Sequence, residues 1–161
     1  MKSGNVFDAF FLSNPFYRGM VGLVILIGTG IGGLVFSWAK FSIFPLSNIL
    51  GGVLILLGFA FHWWTERGHK MAHEQSRDID VIVTTGVYSK IRHPLYLSMI
   101  VMNVGIALAF GMMMTVVIAL LTVIHWIVTS LKEEEMLLQK FPNEYARYRQ
   151  EVRWRMIPGV F

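Results

Sequence analysis

Arg92 and His93 stand immediately before Pro94, and much further along the chain Lys132 is followed by Glu133, Glu134 and Glu135. Cationic and carboxylate side chains of these kinds can hold a small molecule that itself carries both charges, through charge-assisted hydrogen bonds. Pro94 suits the first turn of a helix, where its missing N–H costs nothing. The free amides and positive dipole end of that helix then lie beside Arg92 and His93 and suit a carboxylate or phosphate. Taken alone, Arg92 and His93 read equally well as interfacial anchors. The glutamates alone read as a solvated acidic turn, opposed by the helix dipole unless the helix continues past them.

The chain between these groups decides whether they meet. From Leu95 to Phe110 and from Met112 to Leu131 there is no Asp, Glu, Lys or Arg, and only Gly111 separates the two runs. At ~1.5 Å per residue each helix reaches roughly the ~30 Å of bilayer hydrocarbon, the first only if its ends dip into the interface. The pattern predicts a tight antiparallel hairpin whose second end returns to the side of the first. Arg92 and His93 at the entry, and Glu133 and Glu134 at the exit, are expected at one membrane face. There they would line one mouth suited to a zwitterion.

The remainder of the chain supports a membrane setting. Its 161 residues are 55% hydrophobic and 15% charged, with a mean hydropathy of +0.56, too apolar for an ordinary soluble domain of this length. Two further uncharged runs, Gly19 to Ala39 and Phe41 to Trp64, raise the expected spans to four, at about 19–39, 43–64, 94–110 and 112–132. The fold class is therefore an all-α polytopic membrane protein, a single domain over 1–161. The first run is longer than a signal-peptide core and reads as a retained span. With four spans, every Lys and Arg except Lys40 falls on one side. The bias of positive residues to the cytoplasm then places both termini and the polar groups there, in a cell (inner) membrane. The net charge of +4 calls for no nucleic acid, because juxtamembrane cations facing anionic headgroups account for it. With no cysteine, disulfides, a thiolate nucleophile and Cys-ligated metal are excluded.

Local signals fill in the organisation. Met1 to Arg18, rich in Phe and Tyr, is expected to lie at the interface as an amphipathic anchor. Gly28 and Gly32 in the first span, and Gly51, Gly52 and Gly58 in the second, predict close helix packing. Pro45 suits the start of the second span, and Trp63 and Trp64 its interfacial end. Thr65 to Arg92 forms the one long polar loop, expected to act as a lid or pocket wall. Beyond Leu131 the helical pattern continues through Met136, Leu137 and Phe141 until Pro142. A short amphipathic helix, Glu144 to Val152, follows.

The run Gly86-Val-Tyr-Ser-Lys-Ile-Arg-His-Pro-Leu-Tyr96, followed by Glu133-Glu-Glu-Met-Leu-Leu-Gln-Lys-Phe-Pro-Asn-Glu-Tyr-Ala-Arg-Tyr148, resembles a known pattern. It is similar to the C-terminal half of isoprenylcysteine carboxyl methyltransferases and their prokaryotic relatives, including phospholipid methyltransferase-like proteins. The likeness covers about 82–158, and its motifs are specific in combination. It implies S-adenosylmethionine bound at the cytosolic mouth of the last two spans, with a lipophilic small molecule or lipid arriving from the bilayer as methyl acceptor. The resemblance further implies Tyr88, His93, Pro94 and Tyr96 around the cofactor, next to Arg92. The backbone of Val81, Ile82 and Val83 would lie close by, and one of Glu133 or Glu134 would meet the cofactor's amino group. Three positions depart from the pattern. Ser98 stands where glycine is frequent, Pro142 replaces the usual glycine after Phe141, and Thr129 stands where an arginine meets a substrate carboxylate. The last departure leaves the acceptor open between a carboxylate, an amine and a thiol. Should the acceptor carry a proton, His93 and Glu134 are the catalytic candidates as base, with Glu133 another.

Other readings compete. His69 and His73, at i and i+4, could bind a metal, but two ligands are too few to build a zinc site. His62 and His125 lie at similar depth in the expected bundle, so a bis-histidine haem is conceivable. A small transporter or scaffold is the remaining class, against which stands the lack of ionisable residues near the middle of the spans.

Overall fold

The computed structural model describes residues 10–41, 43–67 and 80–161. Among them are helices α1 (Pro15–Val35), α2 (Leu46–Arg67), α3 (Pro94–Phe110), α4 (Met113–Lys140) and α5 (Pro142–Glu151), with a single 3-10 turn over Gly86–Ser89. Extended pairing among the described residues is limited to two isolated bridges. The regular structure of the described residues is thus all-helical. α1, α2 and α4 are long and apolar enough to cross a membrane, whereas α3 is apolar but has 17 residues. Pro94 fixes its start and Gly111, in the left-handed region at φ +66°, fixes its end, so α3 extends ~26 Å and falls short of the hydrocarbon thickness.

α1 begins earlier than its uncharged run. The Asn14 side chain accepts from the Phe16 amide at 2.9 Å and Pro15 takes the first helical position, a strong local start signal. Pro15 to Arg18, expected in an interfacial segment, therefore belong to the first long helix, which ends at Val35 rather than Ala39. Residues 1–9 of that expected anchor lie outside the described residues, as do His69, His73 and the 68–79 part of the polar loop.

Packing corrects the reading of the glycines. Leu26, Gly30 and Gly33 share the buried face of α1 at i, i+4 and i+7, and a β-carbon on Gly30 or Gly33 would strike Phe110 or Met112. Gly28 and Gly32 lie on the other side: nothing approaches within 4 Å of Gly28, and the nearest atom to Gly32 is on Trp38 at 3.7 Å. In α2 the expected role holds for Gly51 and Gly58 but not for Gly52, which faces open space. A β-carbon on Gly51 would collide with the backbone of Ala109 and Gly105, so α2 and α3 pack antiparallel through backbone contact.

The ends of the bundle are tied in two groups. Phe41 N donates to Gly111 O at 3.0 Å and Met113 N to Ala39 O at 2.9 Å, joining the α1–α2 connection to the α3–α4 turn. The opposite end gathers the start of α1, the end of α2, the start of α3 and the charged extension of α4. As expected, α4 runs unbroken to Lys140, where Phe141 and Pro142 end it. Val24, Ile31, Leu56, Phe59, Leu120 and Ile124 are exposed, giving α1, α2 and α4 the apolar outer faces that a lipid environment requires.

Candidate functional site

At this second end the chain after α5 runs alongside the entry to α3. Arg92 N donates to Trp154 O at 3.0 Å and His93 N to Arg155 O at 2.8 Å, with Ile91 and Trp154 forming a parallel bridge. The Arg92 side chain reinforces this seam, donating from Nη1 to Val152 O at 2.6 Å and to Arg153 O at 2.8 Å. Its Nε reaches across to Glu134 Oε1 at 2.9 Å, so the hairpin brings the basic and acidic groups together as expected.

Glu134 is the hub. Arg155 donates from Nε to Oε1 at 2.9 Å and from Nη2 to Oε2 at 3.0 Å, His93 Nε2 lies 3.2 Å from Oε1, and Arg149 Nε is 3.8 Å from Oε2. Only 3% of Glu134 is exposed. The adjacent residue is arranged differently, because successive side chains of a helix point ~100° apart. Glu133 Oε2 accepts from the Tyr96 hydroxyl at 2.6 Å, and His93 Nδ1 stands 3.7 Å away, too far for a hydrogen bond. Glu133 Oε1 has no partner among the described residues. His93 is therefore placed between the two carboxylates. Its ring stacks on Tyr96 at 5.4 Å, and Tyr96 stacks on Trp126 at 5.0 Å.

Helix α5 supports the other wall. Leu137, Tyr145, Tyr148 and Val152 form a buried cluster against which Ile82 packs, and the Tyr148 hydroxyl donates to Tyr88 O at 2.7 Å. Lys140 pairs with Asp80 at 3.4 Å. The segment carrying Val81, Ile82, Val83 and Tyr88 is thereby held beside the mouth, with Val81 exposed and the other three partly buried. Pro94 is fully buried at the first turn of α3.

Burial raises the phenols of Tyr88, Tyr145 and Tyr148 above the usual tyrosine range, and nearby Glu133 or Glu134 adds to the effect. A phenol whose pKa is higher folded than unfolded stabilises the fold fully below the unfolded value of ~10, and that stability is lost as the pH rises further. The unfolding midpoint in detergent is accordingly expected to hold up to pH ~9.5 and to fall steeply above ~10. A midpoint flat to pH ~11 would show that these hydroxyls are not held protonated by the fold.

The three departures from the sequence pattern each have a structural counterpart. The Ser98 hydroxyl donates to Leu95 O at 2.6 Å and lies 2.9 Å from His62 Nδ1, while His62 Nε2 meets Glu66 at 3.0 Å. That Ser, His and Glu set clamps α2 to α3, with the serine fully buried. Pro142 occupies the first position of α5, where proline is favoured. Thr129 Oγ1 accepts from Arg18 Nη1 at 2.8 Å, so a guanidinium from α1 stands beside the position that lacks one.

Sequence reasoning missed Arg155, Arg18 and Trp126. Arg155 had a weak signal, alternating with Arg153 in an extended tail; Arg18 and Trp126 had none. His62 and His125, paired in the haem reading, are engaged separately. His62 uses both ring nitrogens on Ser98 and Glu66, and His125 Nε2 faces Arg18 Nη1 at 3.3 Å. Neither the haem nor the transport reading gains support.

Comparison with known proteins places this end of the bundle in a recognisable context. The family model described as phospholipid methyltransferase matches residues 46–144, from the start of α2 into α5. A protein-S-isoprenylcysteine O-methyltransferase of Saccharomyces cerevisiae is 31% identical over 116 residues, covering 66% of this chain and 47% of the yeast protein. The chain thus matches about half the length of that relative.

Proposed function

Because the chain belongs to the phospholipid methyltransferase family, we propose that it transfers a methyl group from S-adenosylmethionine to a lipophilic acceptor resident in the membrane. The observation that carries this reading is the asymmetry of the acidic pair. Glu134 is saturated by Arg92, His93 and Arg155, whereas Glu133, one residue away, has an oxygen with no hydrogen-bond partner among the described residues. When bound, S-adenosylmethionine supplies an activated methyl on a sulfonium.

The chain's own residues then bind and orient. Glu133 Oε1 would receive the cofactor's amino group, and the amides of the first turn of α3 after Pro94 would face its carboxylate. Val81, Ile82, Val83 and Tyr88 would flank the remainder on the α5 side. Pro94 and Tyr96 form the floor, and Arg92 with Glu134 fixes the wall rather than touching the ligand. His93, between the carboxylates, takes the proton if the acceptor brings one. The transfer needs alignment and exclusion of water more than covalent help, and the apolar faces of α3 and α4 provide both. The cofactor-binding half covers about 80–158 of one domain. The short α3 completes a four-span bundle, and the end carrying Arg18, Arg67, Arg92, Arg149 and Arg155 faces the cytoplasm of the cell (inner) membrane.

The yeast relative's name makes isoprenylcysteine the first acceptor to try. Labelled-methyl transfer from S-adenosylmethionine to prenylated cysteine analogues and to a total lipid extract is expected to put label in the organic phase. Calorimetry that finds no S-adenosylmethionine binding to folded protein in lipid would sink the proposal.

A further inference from the structure

Asn103 is a polar side chain set deep in apolar surroundings. It follows Pro94 in α3 by about 14 Å at ~1.5 Å per residue, which puts it near the middle of that helix. Only 7% of it is exposed. Among the described residues its amide makes no hydrogen bond, yet neither polar atom is sealed inside packed protein, so the amide faces a cavity. An amide carries two N–H donors and an acceptor oxygen, and within hydrocarbon there is no water to satisfy them. Packing alone would be served better by leucine, because an unpaired amide there is costly.

The cavity is a groove of about 570 Å³ between α1 and α2, floored by α3. Met20, Leu23 and Ile27 form one wall, and Ile55 and Phe59 the other. Along its floor the groove runs from Met99 to Phe110, about 16 Å. Met20, Ile27 and Phe59 are exposed, so it opens sideways, toward where lipid would lie. The glycines explain the gap. Gly51 and Gly58 press α2 onto the backbone of α3, while Gly30 and Gly33 seat α1 on Phe110 and Met112, so each helix packs on α3 or its turn. His62, which also lines the groove, stands nearer the mouth with both ring nitrogens engaged by Ser98 and Glu66.

Depth and charge set what fits. A phospholipid keeps its ester and headgroup oxygens at the interface and would offer Asn103 only methylenes. An ionised group at this depth is disfavoured, and among the described residues no Asp, Glu, Lys or Arg lines the groove to offset one. A neutral hydroxyl or carbonyl can pair with the amide while the rest of its molecule fills the groove.

We propose that the groove between α1 and α2 binds an elongated neutral lipophile, and that Asn103 selects it by hydrogen-bonding a hydroxyl or carbonyl oxygen within the hydrocarbon layer. That oxygen lies about 14 Å along α3 from Pro94, too far from His93 and Glu133 to be the group that receives a methyl. The site therefore stands independently of the methyl-transfer reading. Asn103 also lines a smaller groove between α1 and α4, but there it is the lone contribution of α3. In the α1–α2 groove Met99, Met102 and Ile106 continue the floor on either side, so a chain lying along α3 passes over the amide.

The test is binding of a tritiated methyl stearate bearing a mid-chain hydroxyl to the full chain in phosphatidylcholine nanodiscs. Unlabelled hydroxy ester and plain methyl stearate serve as competitors. The hydroxy ester is expected to compete at roughly threefold to tenfold lower concentration, the worth of one neutral hydrogen bond. Asn103→Leu, which loses no hydrogen bond within the described protein, should fold normally, bring the two esters together and leave S-adenosylmethionine affinity unchanged. Met20→Trp, which narrows the α1–α2 groove, should weaken the hydroxy ester, whereas Val21→Trp, on the α1–α4 groove, should not. No saturable binding above protein-free nanodiscs, equal competition by the two esters, or a preference that survives Asn103→Leu would overturn the proposal. A loss caused by Val21→Trp and not by Met20→Trp would overturn it too, by moving the site to the other groove. The comparison of esters in the unmodified protein decides even if a variant folds poorly.

Discussion

Glu134→Gln is expected to destabilise the fold by about 3–5 kcal/mol, the range for removing one partner from a buried ion pair. The carboxylate answers Arg92 and Arg155 directly, with His93 on the same oxygen and Arg149 beyond. A neutral amide of the same size leaves two buried or half-buried guanidinium groups without a counter-charge. The damage should be local first. Arg92 also holds the carbonyls of Val152 and Arg153, and these belong to the segment that lies along Ile91 to His93. Two readouts check this: the unfolding midpoint in detergent, and the rate of tryptic cleavage at Arg153 and Arg155. Both should change, cleavage more than the midpoint. A variant with unaltered midpoint and cleavage would mean that Glu134 is not the tie between α4 and the tail.

How much of this was legible beforehand depends on the distance over which each signal acts. The α3–α4 hairpin was readable because its determinants are local: two charge-free runs, Pro94 at one start and Gly111 at the turn. The same holds for the extension of α4 to Pro142 and for the meeting of Arg92 with Glu134, which the hairpin enforces. α1 starts ahead of its uncharged run because the Asn14 and Pro15 cap signal, and not charge-free length, sets where the helix begins. Which glycines pack depends on how each helix is rotated in the bundle, and small-residue spacing does not report rotation. Arg18 and Thr129 are separated by 111 positions, and their contact follows from the register of α1 on α4, which no motif encodes. The division of labour within the acidic pair was hidden for a related reason. Glu133 and Glu134 are identical in type, and only the placement of α5 and the tail turns one into a hub and leaves the other facing the mouth.

That division makes the second large effect specific. Glu133→Gln is expected to weaken S-adenosylmethionine binding by about 1.5–3 kcal/mol, or roughly tenfold to more than a hundredfold in Kd, through loss of a charge-assisted hydrogen bond. Its stability cost should stay at ~1 kcal/mol, since the amide oxygen still accepts from Tyr96 and the cationic groups near Glu133, Arg18 and His93, make no hydrogen bond to it as Arg155 does to Glu134. Calorimetry with S-adenosylmethionine and a denaturation curve on the same sample separate the two quantities. The paired variants should therefore split cleanly, Glu134→Gln losing stability and Glu133→Gln losing affinity. If Glu133→Gln instead binds as the unmodified protein does while a still-folded Glu134→Gln does not, the roles are reversed. The ion network would then itself open to receive the ligand, and Oε1 of Glu133 would carry no weight in recognition.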